Sequence, residues 1–403
     1  MNILIANVGS TSFKFQLFDD SDFSVRAGGR LERIGENQSP VSYHRVGHDV
    51  MTSSASLPDY SSAISYTIKL LKDREKGVVR ELSDIDAVGF KPVHAMSVTG
   101  CKALTDDVLD AMHTAIPLAP AHNPPYLAAI QLFRELMPEI PLYGLFEPTF
   151  HETIPEFARV YGVPQEWESR YGIRRYGFHG ASHRYIAERV PQLIGPDSDA
   201  EKIVSCHLGG SSSVCAIDGG KSVDTSMGLT PQSGLMQSNR IGDLDPFAVL
   251  SVMDQSALTT DEIRGILCSQ SGLKGVSGLE SGDMRDLLEA EHGGHERASL
   301  AVKAFVYEIK KLIGAYAAAM GGLSAVAFTG GIGERSTLIR ERVCTGLEFL
   351  GVEIDDDRNR SCENEGIISS HENPVAVAVI PAREEFVIAR EVSSTLKLTK
   401  GDT

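Results

Sequence analysis

Basic residues are in deficit: 38 Lys and Arg face 54 Asp and Glu, a formal charge of −16. A net field of that sign argues against nucleic acid or an anionic membrane as partner, because both are drawn by a basic surface. Local basic pockets stay open. The six cysteines (Cys101, Cys206, Cys215, Cys268, Cys344, Cys362) include no C-x-x-C pair and sit largely in apolar runs. Reduced, buried thiols are expected rather than disulfides or a zinc site. No run reads as a membrane span, since apolar Ala315 to Met320 follows Lys303, Glu308, Lys310 and Lys311 within one helical pattern. The chain begins directly with a strand and lacks the basic n-region and apolar core of a signal peptide, so a cytoplasmic location is expected.

What is present is enough for two or three domains: 403 residues, 42% apolar and 23% charged. The organising stretch is Asn2 to Asp19, where the apolar runs Ile3 to Val8 and Phe13 to Phe18 flank the turn Gly9-Ser10-Thr11-Ser12. This predicts a β-hairpin whose small-residue tip lets N–H and O–H groups converge on an anion, with Asn7 and Lys14 bracketing it; an ordinary turn is the competing reading. A second copy follows at Ile203 to Asp218, with His207 in the place of Asn7 and a Gly/Ser tip from Gly209 to Ser213. Each hairpin is followed by a further matching strand, Asp86 to Lys91 and Ser324 to Thr329. The ordered repeat predicts two α/β domains clamping the phosphates of a nucleotide.

Between these landmarks the pattern predicts a strand at Ala27 to Ile34, a second hairpin before Ser56, and helices at Tyr60 to Lys72, Asp106 onward and Pro125 to Met137. Thr105 reads as the cap of the middle one. A buried strand, Leu142 to Phe146, delivers Glu147, and the domain change is placed just after it. The segment Arg174 to His183 is then expected to lead into a helix running to about Leu193, with further helices at Asp245 to Met253, Thr260 to Cys268, Ser281 to Ala290 and Arg297 to Met320. Phe328 to Glu334 reads as a strand end and glycine turn before a helix over Ser336 to Leu350, a layout in which helix N-terminal amides meet a phosphate or ribose. The strand Val375 to Ile380 and a final helix, Glu384 to Leu396, close the chain, the helix returning to the first domain.

The motifs Asn7-x-Gly-Ser-Thr-Ser-x-Lys14, Pro120-Ala-His122-Asn-Pro124, Tyr176-Gly-Phe-His-Gly-x-Ser-His183, Met227-Gly-Leu-Thr-Pro231, Arg240-x-Gly-Asp-x-Asp-Pro246, Phe328-x-Gly-Gly-Ile-Gly-Glu334 and Glu384-Glu385 occur in this order along nearly the whole chain. The chain so resembles the acetate kinase family, the carboxylate kinases that share an actin-like ATPase fold with sugar kinases. The resemblance implies a two-domain α/β fold with duplicated ribonuclease H-like cores and an interdomain nucleotide cleft. One domain would be residues 1–149 plus 384–403, and a nucleotide-binding and dimerisation domain would span 150–383. It also implies ATP-dependent, reversible phosphorylation of acetate to acetyl phosphate by direct in-line transfer, with Mg²⁺ or Mn²⁺, in a homodimer. Phosphoryl transfer asks little covalent work of the protein, which aligns donor, metal and acceptor and neutralises charge.

By position in the family's motifs, Arg240 would grip the acceptor carboxylate or the transferring phosphoryl group, against a competing ion pair with Asp243 or Asp245. His179 would donate to phosphoryl oxygens, with His122 in support; a core histidine is the alternative for each. Lys91 and Glu147 complete the catalytic set, and Asn7 and Glu384 would hold the metal, directly or through water. The nucleotide would be bordered by Lys14, His207, Gly209, Gly210, Asp283, Met284, Arg285, Gly330, Gly331, Ile332 and Gly333. Val93, Phe178 and Pro231, with Lys91 and Ala121, would line the acceptor pocket. Four positions depart from the family. Lys91 replaces an arginine and Glu147 an aspartate, exchanges that offset each other if the two side chains face one another. Gly210 replaces an asparagine, and Ala121 replaces a leucine, leaving room for propionate. The alternatives are a catalytically impaired homologue that binds nucleotide and acts by association, or a propionate-preferring kinase.

Overall fold

The computed structural model of the chain describes residues 1–9, 11–195, 201–370 and 372–401; Ser10 of the first hairpin tip lies outside them. Two compact units are formed, Met1–Thr149 with Arg383–Thr403, and Phe150–Ala382. Among the described residues no helix is long and apolar enough to cross a membrane. All six cysteines are free thiols; Cys206, Cys215 and Cys344 are buried, and Cys101, Cys268 and Cys362 are partly so.

The first unit is built on strands β1 (Asn2–Val8), β2 (Phe13–Asp19), β3 (Val25–Leu31), β4 (Ser39–Arg45), β5 (Met51–Ala55), β6 (Ala87–Phe90), β7 (Cys101–Ala103) and β8 (Leu142–Leu145). They form one sheet in the order β5-β4-β3-β2-β1-β6-β8-β7. The expected hairpin is present, with Asn7 opposite Lys14 across β1 and β2. Strand β6 runs parallel to β1, and β8 parallel to β6. Ile3, Leu4, Ile5 and Ala6 are all fully buried because both faces of the sheet are covered. The final helix, Glu384–Lys400, lies against β1, β6 and β8 and seats Ile388 and Val392 there. The second predicted hairpin is β4 and β5.

The second unit repeats the plan with β9 (Lys202–His207), β10 (Ser213–Asp218), β11 (Lys221–Thr225), β12 (Ala325–Thr329), β13 (Gly366–Ile367) and β14 (Ala376–Val379), in the order β11-β10-β9-β12-β14-β13. Hairpin, then parallel strand, then parallel strand recur as β9-β10, β12 and β14. Alternate residues of β12 face opposite cores. Val326 and Phe328 pack with Phe305, Ile309 and Ile313 of the long helix Glu296–Met320. Ala325 and Ala327 meet Ile186 and Val190 of the helix Gly180–Ile194.

Several boundaries differ from the sequence reading. The helix expected from Ser281 starts at Met284, because the Asp283 side chain caps it by accepting from the Arg285 amide. Thr105 sits at the cap position, yet its side chain makes no capping bond. The helix expected to reach Leu350 spans Thr337–Cys344 and stops where Thr345 leaves helical geometry and Gly346 turns to φ +83°. Strand β11 and the short helices Gln165–Tyr171 and Gly272–Ser277 lack a periodicity long enough to announce them.

Candidate active site

In the first unit, parallel pairing sets Ala6 beside Phe90 and Phe90 beside Gly144, so Asn7 near the end of β1, and Lys91 and Glu147 just past β6 and β8, lie at the carboxyl ends of three neighbouring strands. That edge of an open α/β sheet is where ligands bind. The Glu147 amide donates to the Pro92 carbonyl at 3.1 Å, which holds its carboxylate next to Lys91. Lys91 Nζ lies 2.9 Å from Glu147 Oε1 and 2.9 Å from Glu384 Oε2 at the start of the final helix. The two exchanged positions therefore face one another. Burial works against the Lys91 charge, but the carboxylates of Glu147 and Glu384 outweigh it and hold the ammonium well above the ordinary lysine value. Asn7 Nδ2 donates to Glu385 Oε1 at 3.1 Å, and the Tyr126 hydroxyl donates to Asn7 Oδ1 at 3.4 Å. Burial raises the Tyr126 pKa, so the phenol stays protonated.

Among the described residues no group of three or more His, Cys, Asp or Glu gathers to cage a metal. Asn7 with Glu384 and Glu385 supplies oxygen donors where three carboxylates outnumber one ammonium. That donor set suits a hard cation that keeps most of its water. Elsewhere in this unit Val93 is buried, His122 is half-buried at the start of the helix Asn123–Leu136, and Ala121 and Lys14 are exposed.

In the second unit the hairpin tip and the loop around Arg240 are joined. Ser211 Oγ donates to Gln237 Oε1 at 2.8 Å, and Gln237 Nε2 donates to the Pro231 carbonyl at 2.6 Å. Arg240 Nη1 reaches Ser211 Oγ and Gln237 Oε1, both at 3.4 Å. The two aspartates considered as competitors turn to backbone: Asp243 accepts from the Gly234 amide and Asp245 caps the helix Pro246–Gln255. Burial lowers the Arg240 pKa from its very high ordinary value. The Ser238 amide donates to the Gly210 carbonyl, and a Cβ on Gly282 would lie 1.8 Å from the Ser238 carbonyl oxygen. Only glycine allows that approach, which brings the Asp283-Met284-Arg285 segment to the hairpin tip. There Arg285 forks onto Asp283 at 2.9 and 2.7 Å, and this pairing lowers the Asp283 pKa.

His151, His179, His183 and His207 form a group of rings in mutual contact, and His151 Nε2 meets the carbonyl of buried Phe178. His179 stacks on His207 with ring centroids 4.1 Å apart, and its Nδ1 meets Ser213 Oγ at 2.8 Å. His179 also has φ +57°, a left-handed conformation that costs a non-glycine residue energy and recurs at functional sites. Gln237 escaped sequence reasoning, and Ser213 reads from the sequence only as the end of the second hairpin's tip. Glutamine and serine carry no signal until the fold sets them beside Arg240 and His179.

The glycine segment corrects one expectation. Gly330–Arg335 is already helical, and the amides of Ile332 and Gly333 donate to the Leu208 carbonyl while that of Gly330 donates to Glu334 Oε1. The amides of Gly330, Ile332 and Gly333 are spent on Glu334 and on the end of β9, so the segment does not present them as an amide cradle. Arg340, fully buried, binds the carbonyls of Gly333 and Glu334 at 2.9 Å and secures the other end. Gly330 has φ +75°, and a Cβ there would lie 2.7 Å from the Leu208 oxygen, whereas one on Gly331 would meet nothing within 4 Å. Gly330→Ala is expected to cost about 2 kcal/mol or more in denaturant unfolding. Gly331→Ala should unfold as the wild type does while raising KM for the nucleotide; equal stability of the two variants would refute this placement.

The sequence model of the acetokinase family matches residues 2–390. An acetate kinase of Thermoanaerobacterium thermosaccharolyticum is 40% identical over 402 residues, 99% of this chain and all of that one. One of Halothermothrix orenii is 44% identical over 394 residues, 98% and 99% of the two chains. Among solved structures, that of Porphyromonas gingivalis acetate kinase superposes with a TM-score of 0.86 at 37% identity, covering 98% of this chain and 100% of the other. A propionate kinase from Francisella tularensis gives 0.87 at 31%, covering 97% and 98%.

Proposed function

The chain belongs to the acetokinase family, and from that premise we propose that it is an ATP-dependent carboxylate kinase that forms acetyl phosphate and ADP from acetate and ATP, reversibly. The observation that carries the reading is likeness over nearly the whole chain to proteins named for that activity. Hydroxamate trapping of the acyl phosphate with ATP, Mg²⁺ and acetate tests it. Hydroxamate at enzymatic rates is expected; nucleotide binding without any hydroxamate would favour the impaired homologue instead.

Roles follow from charge and geometry. Arg240 binds the acceptor carboxylate or the transferring phosphoryl group through its planar fork, aimed by Ser211 and Gln237. His179 donates to the phosphoryl oxygens, and His122 supports the same step. Lys91 adds a fixed positive charge whose orientation Glu147 and Glu384 set. The chain's Asn7 and Glu384, with Glu385, would hold a hydrated Mg²⁺, which would supply neutralisation of phosphate charge. Lys14, His207, Gly209, Gly210, the segment Asp283 to Arg285 and the segment Gly330 to Gly333 border the nucleotide. Free thiols throughout suit a cytoplasmic location.

By their place in the family's motifs, Val93, Phe178 and Pro231, with Ala121, are assigned to the acceptor's apolar lining. Propionate is expected to be used at least as efficiently as acetate, and Ala121→Leu to shift the ratio of kcat/KM values towards acetate by about tenfold, the scale of one methylene in an apolar pocket. An unchanged ratio would show that Ala121 faces away from the substrate.

The reading includes a homodimer through the second unit. The helix Pro246–Gln255 has no buried residue and exposes Phe247, Leu250, Val252 and Met253. A row of that kind calls for a cover, and a second copy of the chain supplies it. Sedimentation should give twice the chain mass, and Leu250→Glu should halve it.

A further inference from the structure

One face of β9 and β10 carries a polar inset within an otherwise apolar core. Ser205 and His207 lie on the same face of β9, Ser213 pairs with His207 across the hairpin, and the helix Gly180–Ile194 covers them with Ser182 and His183. Ser205, Ser213 and His183 are fully buried. His183 Nδ1 lies 2.8 Å from Ser205 Oγ, and its Nε2 lies 2.8 Å from Ser213 Oγ. The same Ser213 Oγ lies 2.8 Å from His179 Nδ1. Four side chains thus form one continuous line, Ser205, His183, Ser213 and His179. Its far end is the half-buried histidine assigned above to the phosphoryl group.

The geometry points to Ser213 as a positioning residue that sets which nitrogen of His179 carries the proton. A serine hydroxyl has one proton, so Ser213 cannot donate to both rings at once. Burial, with the neighbouring His151 and His207, holds the His183 pKa well below the ordinary histidine value, so that ring is neutral and has one N–H to offer. Two directions of donation satisfy every link, and with a neutral His179 ring only one of them leaves it a donor on its other nitrogen. In that direction Ser205 donates to His183 Nδ1, His183 Nε2–H donates to Ser213, and Ser213 donates to His179 Nδ1. The His179 proton then resides on Nε2, the nitrogen that can meet a phosphoryl oxygen. His151 shows the simpler device: its Nε2 lies 2.9 Å from the Phe178 carbonyl, which can only accept, so the tautomer is set directly. At His179 a hydroxyl stands in that place, and the line behind it must supply the direction.

This inference rests on the reading of His179 as a phosphoryl donor, and the test separates the two. In the full chain labelled with ¹⁵N-histidine, the His179 signals are identified by their loss in His179→Gln. Nδ1 is expected at the shift of an unprotonated ring nitrogen and Nε2 at that of a protonated one. Ser213→Ala, which removes little more than the hydroxyl, should mix the two tautomers and lower kcat about tenfold, the scale of one hydrogen bond to a reacting group, with KM for ATP within about twofold. Ser213→Thr should restore both. Should Ser213→Ala fail to melt cooperatively, Ser205→Ala, two links away, must move the same signals the same way. A proton found on Nδ1 in the wild type, or a Ser213→Ala chain with unaltered ¹⁵N pattern and kcat, overturns the assignment. If His179→Gln keeps full kcat, the phosphoryl-donor reading falls, and the ¹⁵N result alone upholds or overturns the tautomer.

Discussion

Arg240→Ala is expected to lower kcat by about 10²-fold or more, since a preorganised donor acting on transition-state charge is worth about 3 kcal/mol or more. The side chain is well placed for that role. Its Nη1 lies 3.4 Å from both Ser211 Oγ and Gln237 Oε1, neutral groups that help aim the guanidinium. Gln237 is itself fastened to the Pro231 carbonyl, so one side chain ties Arg240 to the Pro231 loop. Arg240→Lys should recover only part of the loss, because a point charge replaces a planar fork. Gln237→Ala should fall between wild type and Arg240→Ala. A change under about threefold on Arg240→Ala would remove the residue from the reaction, because that is less than one ordinary hydrogen bond.

The second large effect is expected at Lys91. Lys91→Met leaves Glu147 and Glu384 facing each other in a site where the three side chains are 15%, 5% and 14% exposed. Removing one member of a buried ionic group costs about 3–5 kcal/mol, because the remaining charges stay desolvated and uncompensated. The measurement is urea unfolding of Lys91→Met, Glu147→Gln and the double variant. The double variant should be more stable than Lys91→Met alone, a coupling that independent sites would not show. The pH dependence has a definite sign. The native Lys91 pKa is raised, so its contribution is complete below the ordinary lysine value of about 10.4 and is lost only as pH climbs through the higher native value. The deficit of Lys91→Met against wild type should therefore shrink in strong alkali, and also at low pH as the unpaired Glu147 and Glu384 take up protons.

The sequence by itself determined the duplicated hairpins, the strands that follow them and the final helix, because each is a local pattern of apolar period and small-residue punctuation. It also determined the family, through motifs whose order survives even where Lys91, Glu147, Gly210 and Ala121 depart from it. It could say that Lys91 and Glu147 offset one another only on condition that they meet. Parallel pairing of β1, β6 and β8 decided that they do, with Glu384 joining from a helix 293 residues beyond Lys91. Local pattern misled at Gly330 to Gly333, where a glycine run read as a turn is a helix whose amides bind the end of β9. Only the tertiary structure could set Gln237 under Arg240 and Ser213 between two histidines. A hydroxyl or an amide has no periodicity and no charge pattern; it acquires a role when folding removes water and leaves one neighbour to bond.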